Sequence, residues 1–220
     1  MSYTGLVTPG GPADVRTLDG LTIRKVSVGD MDNCCYLLTC QHTGRQLLID
    51  AAADPARLAA LVDEGTGRLD MIVTTHQHFD HTRALAAMTA ATGATTYAGE
   101  DDAAGLPLPP DHTLRHGDRI TLGDVTFDVI HLRGHTPGSV ALAWTEPGGA
   151  THLFTGDSLF PGGVGNTRGD QARFRQLFDD VSQRLFGVYG DDTWVYPGHG
   201  ADTTLRAERP ALPQWLDRGW

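Results

Sequence analysis

Four side chains of the kind that bind metal ions, His76, His78, Asp80 and His81, fall within six residues, directly behind the apolar run Met71-Ile72-Val73. A short continuous apolar run of this sort suits a strand buried on both faces. The charged and imidazole groups at its exit need partners, because unpaired polar groups at the edge of a core are costly. In an extended loop, residues i and i+2 point the same way. His76 and His78 can therefore share one ion, while Asp80 and His81 turn toward a neighbouring one. Imidazole and carboxylate are the ligands zinc accepts at about 2.0–2.2 Å. A solvated, histidine-rich loop would not ordinarily sit directly behind a fully apolar strand.

The remaining pattern is one of strands interrupted by two groups of helices. Leu21 to Val28, Cys34 to Cys40 and Gln46 to Asp50 have strand character, with a turn at Thr43-Gly44. Asp54 and Pro55 are the N-cap and first residue of a helix with a buried stripe of Leu58, Leu61 and Val62. A second helix is expected over Thr82 to Ala91. A third is expected over Asp170 to Phe186, ended by Gly187. Tyr97, Ile120 to Leu122, Val125 to His131, Val140 to Trp144, His152 to Thr155 and Thr193 to Tyr196 read as further strands, followed by a short proline-containing tail. Two sheets packed face to face with helices outside, an α+β arrangement, suit this order. Residues 1–20 are expected to be a loose N-terminal arm and 21–220 a single domain.

Composition removes several function classes. No stretch approaches the ~20 apolar residues of a membrane helix, and Met1 to Arg16 lacks the apolar centre of a secretory signal. A cytoplasmic protein with no membrane partner is expected. Cys34, Cys35 and Cys40 lie on one strand, where Cys34 and Cys35 face opposite ways, so buried free thiols are expected. A net charge of −10 argues against nucleic acid as a partner. Lys25 is the only lysine, leaving no second one to hold a substrate carboxylate.

The run His76-Gln77-His78-Phe79-Asp80-His81 resembles the His-x-His-x-Asp-His signature of the metallo-β-lactamase superfamily. Further elements resemble it in order: Asp50 closing Leu47-Leu48-Ile49-Asp50, then Gly134-His135-Thr136-Pro137-Gly138, Thr155-Gly156-Asp157-Ser158 and Pro197-Gly198-His199-Gly200. The resemblance implies a four-layer αββα sandwich. It implies one ion on His76, His78 and His135, a second on Asp80, His81 and His199, and Asp157 bridging them. Asp80 and Asp157 would carry the catalytic role, with Asp50 and Asn33 bracing the ligands. The implied cofactors are two Zn2+, with Fe2+ or a mixed Zn/Fe pair as the alternative. His42, His112, His116 and His152 have no motif around them and read as surface or strand residues; so does His131, four residues before His135.

Within the superfamily, the layout most resembles glyoxalase II-like thioester hydrolases. The resemblance rests on Asp32-Asn33 with Tyr36-Leu37-Leu38, on Phe154 to Phe160, and on the glycine-rich Gly162 to Thr167. It implies a small-molecule substrate, an acylated thiol, whose carbonyl is attacked by a metal-bridging hydroxide. Metal lowers the pKa of bound water from 15.7 toward about 7. Only 21 residues follow His199, whereas the full-length enzymes carry a C-terminal helical domain with basic residues for glutathione. Ser139 and Asn166 also stand where that branch usually has His and a basic residue. A shorter form or a different thiol carrier is therefore expected. Persulfide dioxygenases are also similar, and would hold one ferrous iron on His76, His135 and Asp157. Val164 and Asn166 replace the Cys and Arg of that branch. A lactonase, a β-lactamase-type hydrolase and a non-catalytic metal-binding protein complete the alternatives. Phe79, Phe160 and Arg168 are candidate substrate contacts.

Overall fold

The computed structural model describes residues 3–219. The N-terminal half forms a seven-stranded sheet in chain order. Its strands are β1 (Asp14–Thr17), β2 (Leu21–Val28), β3 (Asn33–Cys40), β4 (Gln46–Ile49), β5 (Met71–Thr74), β6 (Thr95–Gly99) and β7 (His112–Leu114). The second sheet has six strands. They are β8 (Arg119–Leu122), β9 (Val125–His131), β10 (Val140–Thr145), β11 (Thr151–Gly156) and, after the small hairpin β12 (Leu159–Phe160) and β13 (Gly163–Val164), β14 (Trp194–Pro197) and β15 (Thr203–Thr204). Its order is β15-β14-β11-β10-β9-β8.

Strand periodicity sorts the side chains into layers. Cys34, Tyr36, Leu38 and Cys40 of β3 face the inter-sheet core with Phe127, Val129, Leu142, Phe154 and Tyr196. The alternate residues Cys35 and Leu37 face outward, onto Leu58, Leu61, Leu85 and Met88 of α1 (Pro55–Glu64) and α2 (Leu85–Thr92). On the far side, Ala141 and Ala143 of β10 pack beneath Phe174, Leu177 and Val181 of α3 (Gln171–Val181). The layers run helix, sheet, sheet, helix. Each fully buried Leu or Val on these faces contributes about 1.5–3 kcal/mol relative to exposure. All three cysteines are free and buried.

Several expectations from sequence need correction. Part of the N-terminal arm is ordered strand: β1 pairs antiparallel with β2, and Tyr3 donates to Asp202 at 2.6 Å. The second helix starts at Leu85 rather than Thr82, because a 3-10 turn at Phe79–His81 takes up the preceding residues. The third stops as an α-helix at Val181 and continues as a π-helical turn to Phe186. The proline-containing tail is helical: α4 (Leu205–Glu208) and α5 (Leu212–Arg218) bury Leu205 and Trp215 against the outer face. Proline in the first turn of α5 costs no hydrogen bond, so it starts the helix. Lys25 is fully buried, pairing with Asp202 at 2.6 Å and donating to the carbonyls of Gly5 and Gly200.

Candidate metal centre

The segments that leave β4, β5, β9, β11 and β14 meet at one end of the sandwich. Strands β4 and β5 run parallel, as do β11 and β14, so Asp50, the histidine loop, Asp157 and His199 all follow C-terminal strand ends. Backbone bonds stitch the sheets together here. Val140 N donates to Thr75 O at 2.9 Å and Cys34 N to Gly198 O at 2.8 Å. The His135 turn depends on Gly134, which has φ +131; a Cβ there would lie 2.6 Å from that of Leu177.

Three overlapping groups place ligand atoms within 4.8 Å of one another: His76, His78 and His135; His76, His81 and Asp157; and Asp80, His81 and His199. Asp157 lies between them. Its Oδ1 is 3.3 Å from His81 Nε2, and its Oδ2 is 3.5 Å from Nε2 of both His135 and His199. Asp80 Oδ2 stands 3.5 Å from His81 Nε2 and 3.4 Å from His199 Nε2. All seven residues that the sequence singled out as ligands are therefore brought together.

The outer ring nitrogens are committed elsewhere. His81 Nδ1 donates to Asp50 Oδ2 at 2.9 Å, His135 Nδ1 to Asn166 O at 2.8 Å and His199 Nδ1 to Met31 O at 2.8 Å. Thr75 Oγ1 donates to Asp50 at 2.8 Å, so it accepts from His76 Nδ1 at 3.0 Å. These bonds fix the tautomers and leave each Nε2 pointing inward. Asn33 Nδ2 donates to Asp80 Oδ2 at 2.8 Å. Asp50 adopts φ +59, a left-handed conformation that aspartate tolerates, and it also accepts Thr75 N at 2.7 Å.

Protonation differs across the centre. Burial, reinforced by His81, holds His76 well below the ordinary histidine range. Burial also lowers His78 and His135, so these three imidazoles are neutral at pH 7. Burial opposes a charge on His81, yet Asp50 and Asp157 outweigh it and raise its pKa to about 10. His199 is likewise raised by Asp157 against its own burial. Burial opposes ionisation of Asp157, but the His199 and His81 rings hold its carboxyl well below the usual range.

The donor set fits metal ions. His76 Nε2, His135 Nε2 and Asp157 Oδ1 are buried without a hydrogen-bond partner, an arrangement that native proteins avoid unless another group completes it. His81 Nε2 and His199 Nε2 lie only 3.1 Å apart, close enough for two imidazoles to share one cation.

A cavity of about 540 Å³ opens onto this cluster, lined by Gln77, His78, Phe79, His135, Pro137, Arg168 and Arg173 among others. Phe79 is 65% exposed at its rim. Phe160 does not line it, but its ring sits 6.4 Å from that of His199. Arg168 is exposed, with φ +57, a conformation that costs a non-glycine residue energy and often marks a functional position. His131 stays with the strand and contacts Pro137 O at 2.8 Å. His152 is buried between Tyr196 and Glu146, away from the centre.

Four bracing residues escaped the sequence reading. Asp102 accepts from Gln77 N, Thr136 Oγ1 and Gly138 N. Arg173 donates to the carbonyls of Gly134 and His135. Asp180 holds Arg133, and Glu208 accepts Gly162 N at 2.8 Å. Each pairs with a partner 25 or more residues away. The only local signal was the acidic run Glu100-Asp101-Asp102 behind a strand, which does not say which carboxylate turns inward.

Comparisons with known proteins agree with this layout. The family model of the metallo-beta-lactamase superfamily matches residues 29–212. A hydroxyacylglutathione hydrolase of Fuscovulum blasticum is 43% identical over 134 residues, covering 61% of this chain and 51% of that protein. The chain thus spans about half to three-fifths of the length of such relatives. Among solved structures, ETHE1 from Myxococcus xanthus is 28% identical with a TM-score of 0.77, over 89% of this chain and 84% of that one. TTHA1623 in a di-iron-bound form is 35% identical with a TM-score of 0.70, over 84% and 96%.

Proposed function

The chain belongs to the metallo-β-lactamase superfamily, and from that premise we propose that it is a metal-dependent hydrolase cleaving the thioester of a small acylated thiol. The observation that carries this reading is the convergence of seven ligand-type side chains around buried atoms that lack partners. His76, His78 and His135 would hold one ion, Asp80, His81 and His199 another, and Asp157 would bridge them. Zinc is the metal we assign, with iron or a mixed pair as the alternative. When bound, such ions lower the pKa of water toward about 7 and polarise a carbonyl oxygen.

The chain's own groups then divide the work. Asp50 and Asn33 hold the ring of His81 and the carboxylate of Asp80 in place, so the ligands need not reorganise when substrate arrives. Arg168 and Arg173 put two guanidinium groups on the wall of the cavity, favouring a substrate with an anionic end. Arg173 is committed to two backbone carbonyls, so Arg168 is the group assigned to that contact. Phe79 at the cavity rim and Phe160 beside His199 would shield the acyl portion from water. No described helix is long and apolar enough to cross a membrane. We assign the protein to the cytoplasm, which suits three free cysteines, and the chain from β1 onward to one catalytic domain.

Similarity to ETHE1 from Myxococcus xanthus favours a second reading, oxygen chemistry at one iron held by His76, His135 and Asp157. Metal analysis of anaerobically purified protein, paired with assays of lactoylglutathione cleavage and persulfide-dependent oxygen uptake, separates the two. Thioester cleavage without oxygen uptake is expected. Oxygen uptake without thioester cleavage would overturn the hydrolase assignment.

A further inference from the structure

Asp102 lies in the 3-10 turn Glu100–Gly105 behind β6, outside every ligand group of the centre. Its side chain is fully buried, and its three hydrogen-bond donors are all uncharged. Oδ2 accepts from Gln77 N at 3.0 Å and from Thr136 Oγ1 at 2.6 Å; Oδ1 accepts from Gly138 N at 2.7 Å. Because Thr136 donates to Asp102, its oxygen accepts from Ser139 Oγ at 2.5 Å. Burying a carboxylate on neutral donors alone is costly, so the fold keeps it there only where those bonds hold something in place.

What they hold is specific. Gln77 sits between His76 and His78, on the loop leaving the first sheet. Thr136 and Gly138 belong to the turn that carries His135, in the second sheet. One carboxylate therefore spans the two segments that supply the three-histidine group. Gly138 packs so closely on the Asp101–Asp102 backbone that any side chain there would displace it. Asp50 plays a bracing part on the other side, bonded to His81 directly and, through Thr75, to His76.

We propose that Asp102 is the positioning residue of the three-histidine group, setting the span across which His78 and His135 face one another and adding negative charge behind them. This rests on the metal-centre assignment and needs no turnover to test. Zinc binding to metal-free wild type, Asp102→Asn and Thr136→Val is measured by competition with a chromophoric chelator. Histidine-ring NMR and the thermal midpoint of the metal-free proteins are recorded alongside.

Asp102→Asn keeps the volume but turns an amide N–H toward one of the three donors. The dissociation constant of one ion is expected to rise about 10–100-fold, with the other changing less than about threefold. The ring signals of His78 and His135 should move, and those of His81 and His199 should not. Thr136→Val removes one of the three bonds to Asp102, along with the Ser139 contact, and should give a smaller rise for the same ion; it decides the matter if the first variant does not fold. Unchanged constants with a lowered midpoint, or equal weakening of both ions, would overturn the proposal. Failure of wild type to bind zinc would instead sink the metal assignment itself.

Discussion

The two halves of the centre use the same residue type on opposite electrostatic plans. His76, His78 and His135 have no acidic hydrogen-bond partner, and burial keeps them neutral, with two Nε2 atoms unpaired. His81 lies against Asp50 and Asp157, and His199 against Asp157, which favour the protonated rings. The first group is ready for a cation as it stands. The second neutralises itself and must release a proton to bind one. Neighbours, not residue identity, set what a histidine is prepared to do.

The largest test removes what the two halves share. Asp157→Ala deprives both of their common carboxylate, so two-ion occupancy and thioester turnover should each fall by more than about 100-fold. Metal analysis with steady-state kinetics reads this, and full activity would contradict the bridging role.

Next comes the pH dependence of metal affinity. His81, raised to about 10, is protonated at pH 7–9 and must lose that proton on binding. Affinity for one ion should therefore climb roughly tenfold per pH unit across that window, while the other, on histidines already neutral, stays nearly flat. Chelator competition at several pH values reads both, and parallel slopes would erase the contrast.

Much of the centre was legible because its signals are local. Residues 76–81 form one contiguous run, while His135, Asp157 and His199 were legible through their resemblance to superfamily motifs, each with a glycine before the ligand. The supports were not legible. Asp102, Asp180 and Glu208 act on backbone 25 or more residues away, and nothing in their own neighbourhoods separates them from solvated acids. Strand β1 was hidden in a glycine- and proline-rich arm, and the last helices behind prolines that in fact begin one of them. Strand alternation and the α3 stripe suited two sheets with helices outside, since each buried face keeps its period; the four-layer order came from the resemblance to the superfamily.

Two smaller effects refine the contrast from outside it. Arg168→Ala should raise KM for an anionic thioester about 2–5-fold and leave a neutral one unchanged, the scale of an exposed ion pair. Equal effects on both substrates would remove its charge from the binding step. Asp180 serves the His135 side, accepting Arg133 N at 3.0 Å and the Arg133 guanidinium at 2.9 Å, and it also pairs with Arg184 at 3.4 Å. Burial opposes its ionisation, but Arg133 holds the carboxyl below its usual range. Its stabilising contribution is thus present above the unfolded pKa of about 3.9 and lost as pH falls through the lower folded value. Asp180→Asn should cost about 1 kcal/mol at pH 7 and little near pH 2, read by denaturant titration at each pH. An equal loss at both would place its contribution in packing.

The most direct measurement is anomalous diffraction at the zinc edge from crystals grown with zinc. Two peaks are expected, one bounded by His76, His78 and His135 and one by Asp80, His81 and His199, with Asp157 between them. A single peak, or density away from these seven side chains, would contradict a shared two-ion centre.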